Sequence, residues 1–274
     1  MLHSAPSRVF APAPPPVADD ATRPLARPEF LLPLHTRSAI LLHLLLEDNA
    51  IDLELASCVV ALDPGLAFAV LQAANPADSG ASIWQLASAL VAAGRESLQD
   101  LLECAPRLEL HPSPDERNSL LALASDAVMR AGMAQLLARE LGKCHPKKCY
   151  LAGLLLEIPA MVAVTAGSHD GYQGRLLSVM CNSLPVGLVK AAMSDLEGAS
   201  AAHEPLIAIV LLAEALLREK EAAALWNGWP ELDREQRSSL VGGCCELREW
   251  MRKNLFCMDP WEFMSRLERR HPKE

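Results

Sequence analysis

From Leu34 onward, apolar residues return every three to four positions, broken by caps and stops rather than by strand-like alternation. "TRSAILLHLLLED" sets Ile40, Leu41, Leu44 and Leu45 on one side of a predicted helix. "DLELASCVVAL" comes next, with Asp52 as its N-cap. In "LDPGLAFAVLQAANPADSG", Asp63 caps a helix whose first position is Pro64, where a missing N–H costs nothing, and Asn75-Pro76 ends it. "SIWQLASALVAAG" is predicted to start at Ser82 and to stop at Gly94 in a left-handed conformation. "RESLQDLLECA" closes at Pro106, and "HPSPDE" reads as a polar loop.

The second half continues the pattern. "RNSLLALASDAVMRAGMAQLLARELG" repeats Leu120, Ala124, Ala127, Ala131, Ala134 and Leu137 at helical spacing. "CHPKKC" connects it to the apolar stretch "CYLAGLLLEIPAMVAVTAG". "YQGRLLSVMCNS", "PVGLVKAAMSDL" and "PLIAIVLLAEALLREKEA" predict three more helices. "REQRSSLVGGCCELREWMRKNL" and a short helix capped by Asp259 before Pro260 complete the chain. No strand and no internal repeat is expected. The fold class is all-α: a compact multi-helix bundle with a helical C-terminal extension. Residues 1–28 are Pro/Ala-rich, lack periodicity and read as a disordered leader. Residues 29–222 read as the helical domain and 223–274 as the extension.

Composition narrows the function. Hydrophobic residues form 51% of the chain and aromatics 4%, which favours helix. The net charge of −9 disfavours a nucleic-acid partner and an anionic membrane surface. No apolar run reaches the ~18–20 residues that span a bilayer, and the N-terminus is not a secretory signal. The eight scattered cysteines read as reduced thiols, with a cytoplasmic location expected. Cys244-Cys245 lies on a helical pattern, one thiol inward and one toward water. Cys144, His145 and Cys149 lack the second ligand pair that a structural zinc needs. Trp84 lies in the first half and Trp226, Trp229, Trp250 and Trp261 near the end. Trp250, with Leu247, Met251 and Leu255, makes a stripe expected to dock on the chain's own core.

Three stretches in order, "LDPGLAFAVLQAANPADSG", "ASIWQLASALVAAGRESLQDLL" and "YLAGLLLEIPAMVAV", resemble the HDOD domain, the HD-related output domain of bacterial signalling proteins. The resemblance covers residues 30–220. The wider HD superfamily binds divalent metal through histidines and aspartates on separate helices, turning water into a nucleophile against phosphate esters. Carried onto this chain, the His-Asp pair falls on Leu156-Glu157, the last Asp on Glu214 and the first His on Asp126. Every histidine ligand is therefore replaced, and Leu156 offers no lone pair. Pro159 stands where the family pattern has glycine.

The resemblance implies a signal-transduction module that binds protein partners, with no catalytic residue, no metal and no cofactor expected. Asp126, Glu157 and Glu214 then remain as vestigial positions, paired with Arg or Lys or facing solvent. The alternative is a metal-dependent phosphohydrolase acting on a nucleotide or cyclic dinucleotide, its hard cation held by these three carboxylates. A third option is a cleft that binds a small ligand without turnover. "HDGY" at His169–Tyr172 looks like the elements of the HD-GYP class. There they lie far apart in sequence, whereas here they are contiguous and read as a polar loop.

Overall fold

The computed structural model describes residues 31–48, 51–75, 83–166, 180, 184, 204–219, 226, 229–255 and 257–269. The leader, Pro76, Ser82, His169–Tyr172 and most of the two helices predicted between 172 and 196 fall outside these residues. Among the described residues the chain is helical. Its one β-type pairing is an isolated parallel bridge between Leu34 and Arg107.

The elements are α1 (Thr36–Glu47), α2 (Leu53–Ala61), α3 (Pro64–Ala74), α4 (Leu86–Ala93), α5 (Arg95–Cys104), a 3-10 turn (Leu108–Leu110), α6 (Pro114–Leu141), α7 (Pro146–Leu155), α8 (Ile158–Ala166), α9 (Pro205–Leu217), α10 (Arg234–Asn254) and α11 (Pro260–Arg269). Caps explain most starts. Asp52 accepts from the N–H groups of Glu54 and Leu55, and Asp63 from that of Leu66. Ser113 caps α6 one turn earlier than the polar-loop expectation, so Pro114, Asp115 and Glu116 form its first turn. Asp233 and Gln236 form a reciprocal capping box on α10, and Asp259 accepts from Trp261 and Glu262 at the start of α11.

The start of α1 is capped from a distance. The Glu109 carboxylate accepts from the Thr36 N–H at 2.9 Å and the Thr36 hydroxyl at 2.6 Å. Burial pushes Glu109 up, but these bonds outweigh it and hold it below its ordinary value. Asp63 is buried, and burial raises its pKa despite the bonds it accepts from the His35 and Leu66 N–H groups. Asn75 closes α3 and anchors Ile83, its side chain bonding both the carbonyl and the N–H of that residue.

Two expectations change. In α1 the buried apolar residues are Ala39, Leu42 and Leu46, while Ile40 and Leu44 are exposed. "AILLHLLL" is apolar nearly all round, so periodicity cannot choose a face; packing against α2 and α5 chooses it. Gly94 has φ 77° and ψ 156°, a positive φ without left-handed helical geometry, because it both ends α4 and caps α5. The α4 cap is Gln85, which makes no side-chain bond.

The core is built on α6, which packs against α7, α9 and α10. The predicted stripe Leu120, Ala124, Ala127, Ala131, Ala134 and Leu137 is buried throughout. The terminal stripe docks as expected: Leu247, Met251 and Leu255 are buried, and Trp250 stacks on Phe263 with ring centroids 4.9 Å apart. Cys244 is buried, with its thiol raised to about 12 by desolvation, and Cys245 is exposed. Pro114–Leu141 and Pro146–Thr165 have the length and apolar content of membrane spans, but most of each lies buried inside the molecule as core helix.

Small residues let α7 approach α6. A Cβ at Gly153 would lie 3.0 Å from the Ala131 Cα and 3.2 Å from its N, both backbone atoms that move only with the helix. A Cβ at Gly132 would meet the Met251 Sδ at 2.7 Å, the end of a flexible side chain. Gly153→Ala is therefore expected to destabilise by about 1–3 kcal/mol. Gly132→Ala should lose less, since Met251 can move and the helix gains about 1 kcal/mol of propensity. Urea denaturation of both variants checks the order; equal losses would contradict this account of the helix contact.

Candidate functional site

Glu157 sits at the break between α7 and α8, where the chain makes a turn at Leu156-Glu157. Pro159 explains the break. Its ring is incompatible with the carbonyl four residues earlier in a continuous helix, but it is tolerated in the first turn of α8. The Glu157 carbonyl accepts from the Met161 N–H at 2.8 Å, so the new helix starts there. The break turns the Glu157 side chain toward α6 and α9, where it is 8% exposed.

Two arginines meet it, one on α6 and one just past the end of α9, and each stands four residues after an acid of the set. Asp126 and Arg130 share one face of α6; Glu214 lies on α9 and Arg218 directly follows its last residue. Arg130 is fully buried. Its Nη2 donates to Glu157 Oε1 and its Nε to Glu214 Oε2, each at 2.5 Å, and its Nη1 to the Gly153 carbonyl at 3.4 Å. Arg218 covers the cluster from the solvent side. Its Nη1 donates to Asp126 Oδ2 at 2.7 Å, Nη2 to Glu157 Oε1 at 3.0 Å and Nε to Glu214 Oε1 at 3.1 Å. The cluster carries two positive and three negative groups, 2 − 3 = −1.

Desolvation pushes Glu214 up, yet the attraction and hydrogen bonds of Arg130 and then Arg218 outweigh it and hold the carboxyl below its ordinary value of 4.5. Burial works against the charge on Arg218 too, but its bond to Glu214 and the three carboxylates raise its pKa.

Asp126, Glu157 and Glu214 are thus brought together, and Leu156, partly buried, contributes packing only. These positions do not fit a divalent metal. Both Glu214 oxygens, Glu157 Oε1 and Asp126 Oδ2 already accept guanidinium N–H groups. Among the described residues no three His, Cys, Asp or Glu side chains are grouped to hold an ion. Arg130 and Arg218 were not singled out in the sequence. The available signal was a permanent cation amid Ala127, Ala131 and Ala134, and two Asp/Glu–Arg pairs at i,i+4 spacing. His169–Tyr172 lies outside the described residues, so its loop assignment stays an expectation.

A helical core, without strands among the described residues, whose buried polar centre joins α6, the α7–α8 break and α9 defines a class of all-helical domain, and the comparisons specify it. The sequence profile of the HDOD domain matches residues 32–180, and the chain belongs to that family. The fold is also that of the MmoQ response regulator from Methylococcus capsulatus str. Bath. One crystal structure is 15% identical and covers 78% of this chain and 98% of that chain, with a TM-score of 0.56. A second, of fragment 20–298, is 16% identical and covers 78% and 91%, with a TM-score of 0.52. No curated protein matches the chain.

Arg130→Ala leaves two carboxylates in a desolvated site with only the outer guanidinium. It should cost about 3–5 kcal/mol in urea denaturation. Replacing Arg130, Glu157 and Glu214 together by Met, Leu and Leu should recover most of that loss, because no unpaired charge then remains; a triple variant as unstable as Arg130→Ala would refute the electrostatic cause.

Glu214 fixes the sign of this cluster's contribution to the pH dependence. Its lowered pKa contributes stability that is present above its unfolded value near 4.5 and is lost as pH falls through the lower folded value. Glu214→Gln should flatten the loss of Tm below pH 4.5, read by circular dichroism against the unmodified chain.

Proposed function

We propose that this HDOD protein is a non-catalytic signal-transduction module that acts by binding a protein partner in a reducing cytoplasm. Its membership in the HDOD family supports the signalling part of this reading. The structural neighbour named as a response regulator is in keeping with it. The non-catalytic part rests on a single observation: a fully buried guanidinium stands among the acids that would hold a metal, and donates to two of them. Metal would have to displace Arg130 from a dry interior, stranding its charge. Ile40 and Leu44, exposed one turn apart on α1, form the apolar surface this reading assigns to a partner.

The test is hydrolysis of bis-p-nitrophenyl phosphate with Mn²⁺ or Mg²⁺. The expected rate is that of buffer with metal alone, and millimolar Mn²⁺ should leave Tm unchanged, since an ion that binds the folded state raises Tm by mass action. Hydrolysis that disappears in Glu157→Gln would establish the phosphohydrolase alternative instead.

A further inference from the structure

The α6–α7 turn carries two thiols that neither the carboxylate cluster nor the proposed function uses. His145 is the N-cap of α7 and Pro146 its first residue, so Cys144 is the residue before the cap and Cys149 the fourth helical residue. Side chains at these two positions pack on one another at many helix starts, the arrangement known as the hydrophobic staple. Here both members are cysteine. Both cysteines are free, and Cys144 is near enough to Cys149 to act on its thiol. Cys149 is fully buried; Cys144 packs against the core but stays partly open to solvent. One cysteine is partly open to water and the other is buried at the position a staple sets against it, the placement of an attacking and a resolving cysteine.

We propose that Cys144 and Cys149 form a reversible redox pair that closes to an intramolecular disulfide with a small-molecule disulfide of the glutathione class as oxidant. Cys144, as thiolate, attacks one sulfur of oxidised glutathione. A Cys144–glutathione bond forms, and one glutathione thiolate leaves and takes up a proton. Cys149 then gives up its proton, and its sulfur attacks Cys144 Sγ. The bond to glutathione breaks and the second glutathione leaves, again protonated. Two protein thiols are oxidised and one disulfide is reduced to two thiols. Burial, and after it the neighbouring Cys144, push the Cys149 thiol well above its ordinary value, while Lys148 works in the opposite direction. The second step is therefore the slow one, and the mixed disulfide is the species that accumulates.

Closure covalently fixes a turn already held on two sides. His145 meets the Trp84 ring edge-on at 5.3 Å, and Lys143 pairs with Glu231 at 2.6 Å. The oxidised and reduced forms would differ where the α6–α7 turn meets the segment leading to α10.

The test incubates the full chain with mixtures of oxidised and reduced glutathione, followed by alkylation and mass spectrometry. Trypsin cuts at Lys147 and Lys148, between the two cysteines, so a disulfide leaves their peptides joined until reduction. The expected result is a Cys144–Cys149 link and an intact mass lower by two hydrogen atoms, with a transient glutathione adduct at Cys144. In Cys149→Ser that adduct should persist, and Cys144→Ser, at the more exposed position, should leave Cys149 unmodified. A permanent adduct at Cys144 without the link would overturn the proposal. So would no reaction at this turn while exposed Cys104, Cys245 or Cys257 is modified, or closure with a different partner.

Discussion

A guanidinium does not give up its charge inside a protein, so burying Arg130 requires burying its counter-charges with it. That requirement organises the centre of this molecule. Arg130 draws Glu157 from the α7–α8 break and Glu214 from α9 onto one group, and takes the Gly153 carbonyl as well. Three segments distant in sequence are thereby held in one register. Hydrophobic burial supplies adhesion between α6, α7 and α9, but adhesion between apolar faces tolerates sliding. A directional ion cluster around a fully buried guanidinium does not, because a displaced arm leaves a charge without a partner.

The backbone makes this contact possible. Gly153 lets α7 lie against α6 at Ala131, one residue from Arg130. Pro159 breaks the helix after Glu157 instead of letting it run on. The two features cooperate: close approach brings the α7 backbone within reach of Arg130, and the break aims the carboxylate. Arg218 then covers the exposed side. Because it is more than a third open to water, its contribution is screened, and the burden of specificity falls on Arg130.

Much of this was legible in the sequence. Asp52, Asp63 and Asp259 announced their helices, and the Leu120-to-Leu137 stripe announced the face of α6. The convergence of Asp126, Glu157 and Glu214 was implied by the family resemblance and is present in the fold. What was not legible has physical reasons. In α1 too many leucines satisfy both faces, so neighbours choose, and they choose Leu42 and Leu46 over Ile40 and Leu44. The cap of α1 comes from Glu109, more than seventy residues away, which no local pattern encodes. Arg130 was not singled out, although it stands among Ala127, Ala131 and Ala134 of the inward stripe; which acids it meets depends on α7–α8 and α9, distant in sequence.

The cluster also bears on how an HD-type site and this one differ in physical kind. A divalent ion and a guanidinium both neutralise carboxylates converging from separate helices. The ion leaves open coordination positions for water and substrate; the guanidinium is planar and ends in N–H groups that the acids consume. It has no Lewis-acid orbital and does not lower the pKa of a bound water. The guanidinium of Arg130 keeps a mutual attraction among the three segments it joins. Restoring a metal would take more than a histidine in place of Leu156, because Arg130 already donates to Glu157 and Glu214. Removing Arg130 alone would expose the charge imbalance it now resolves. Stability and metal binding are thus opposed at this site, and a shift toward metal would require several coordinated changes rather than one.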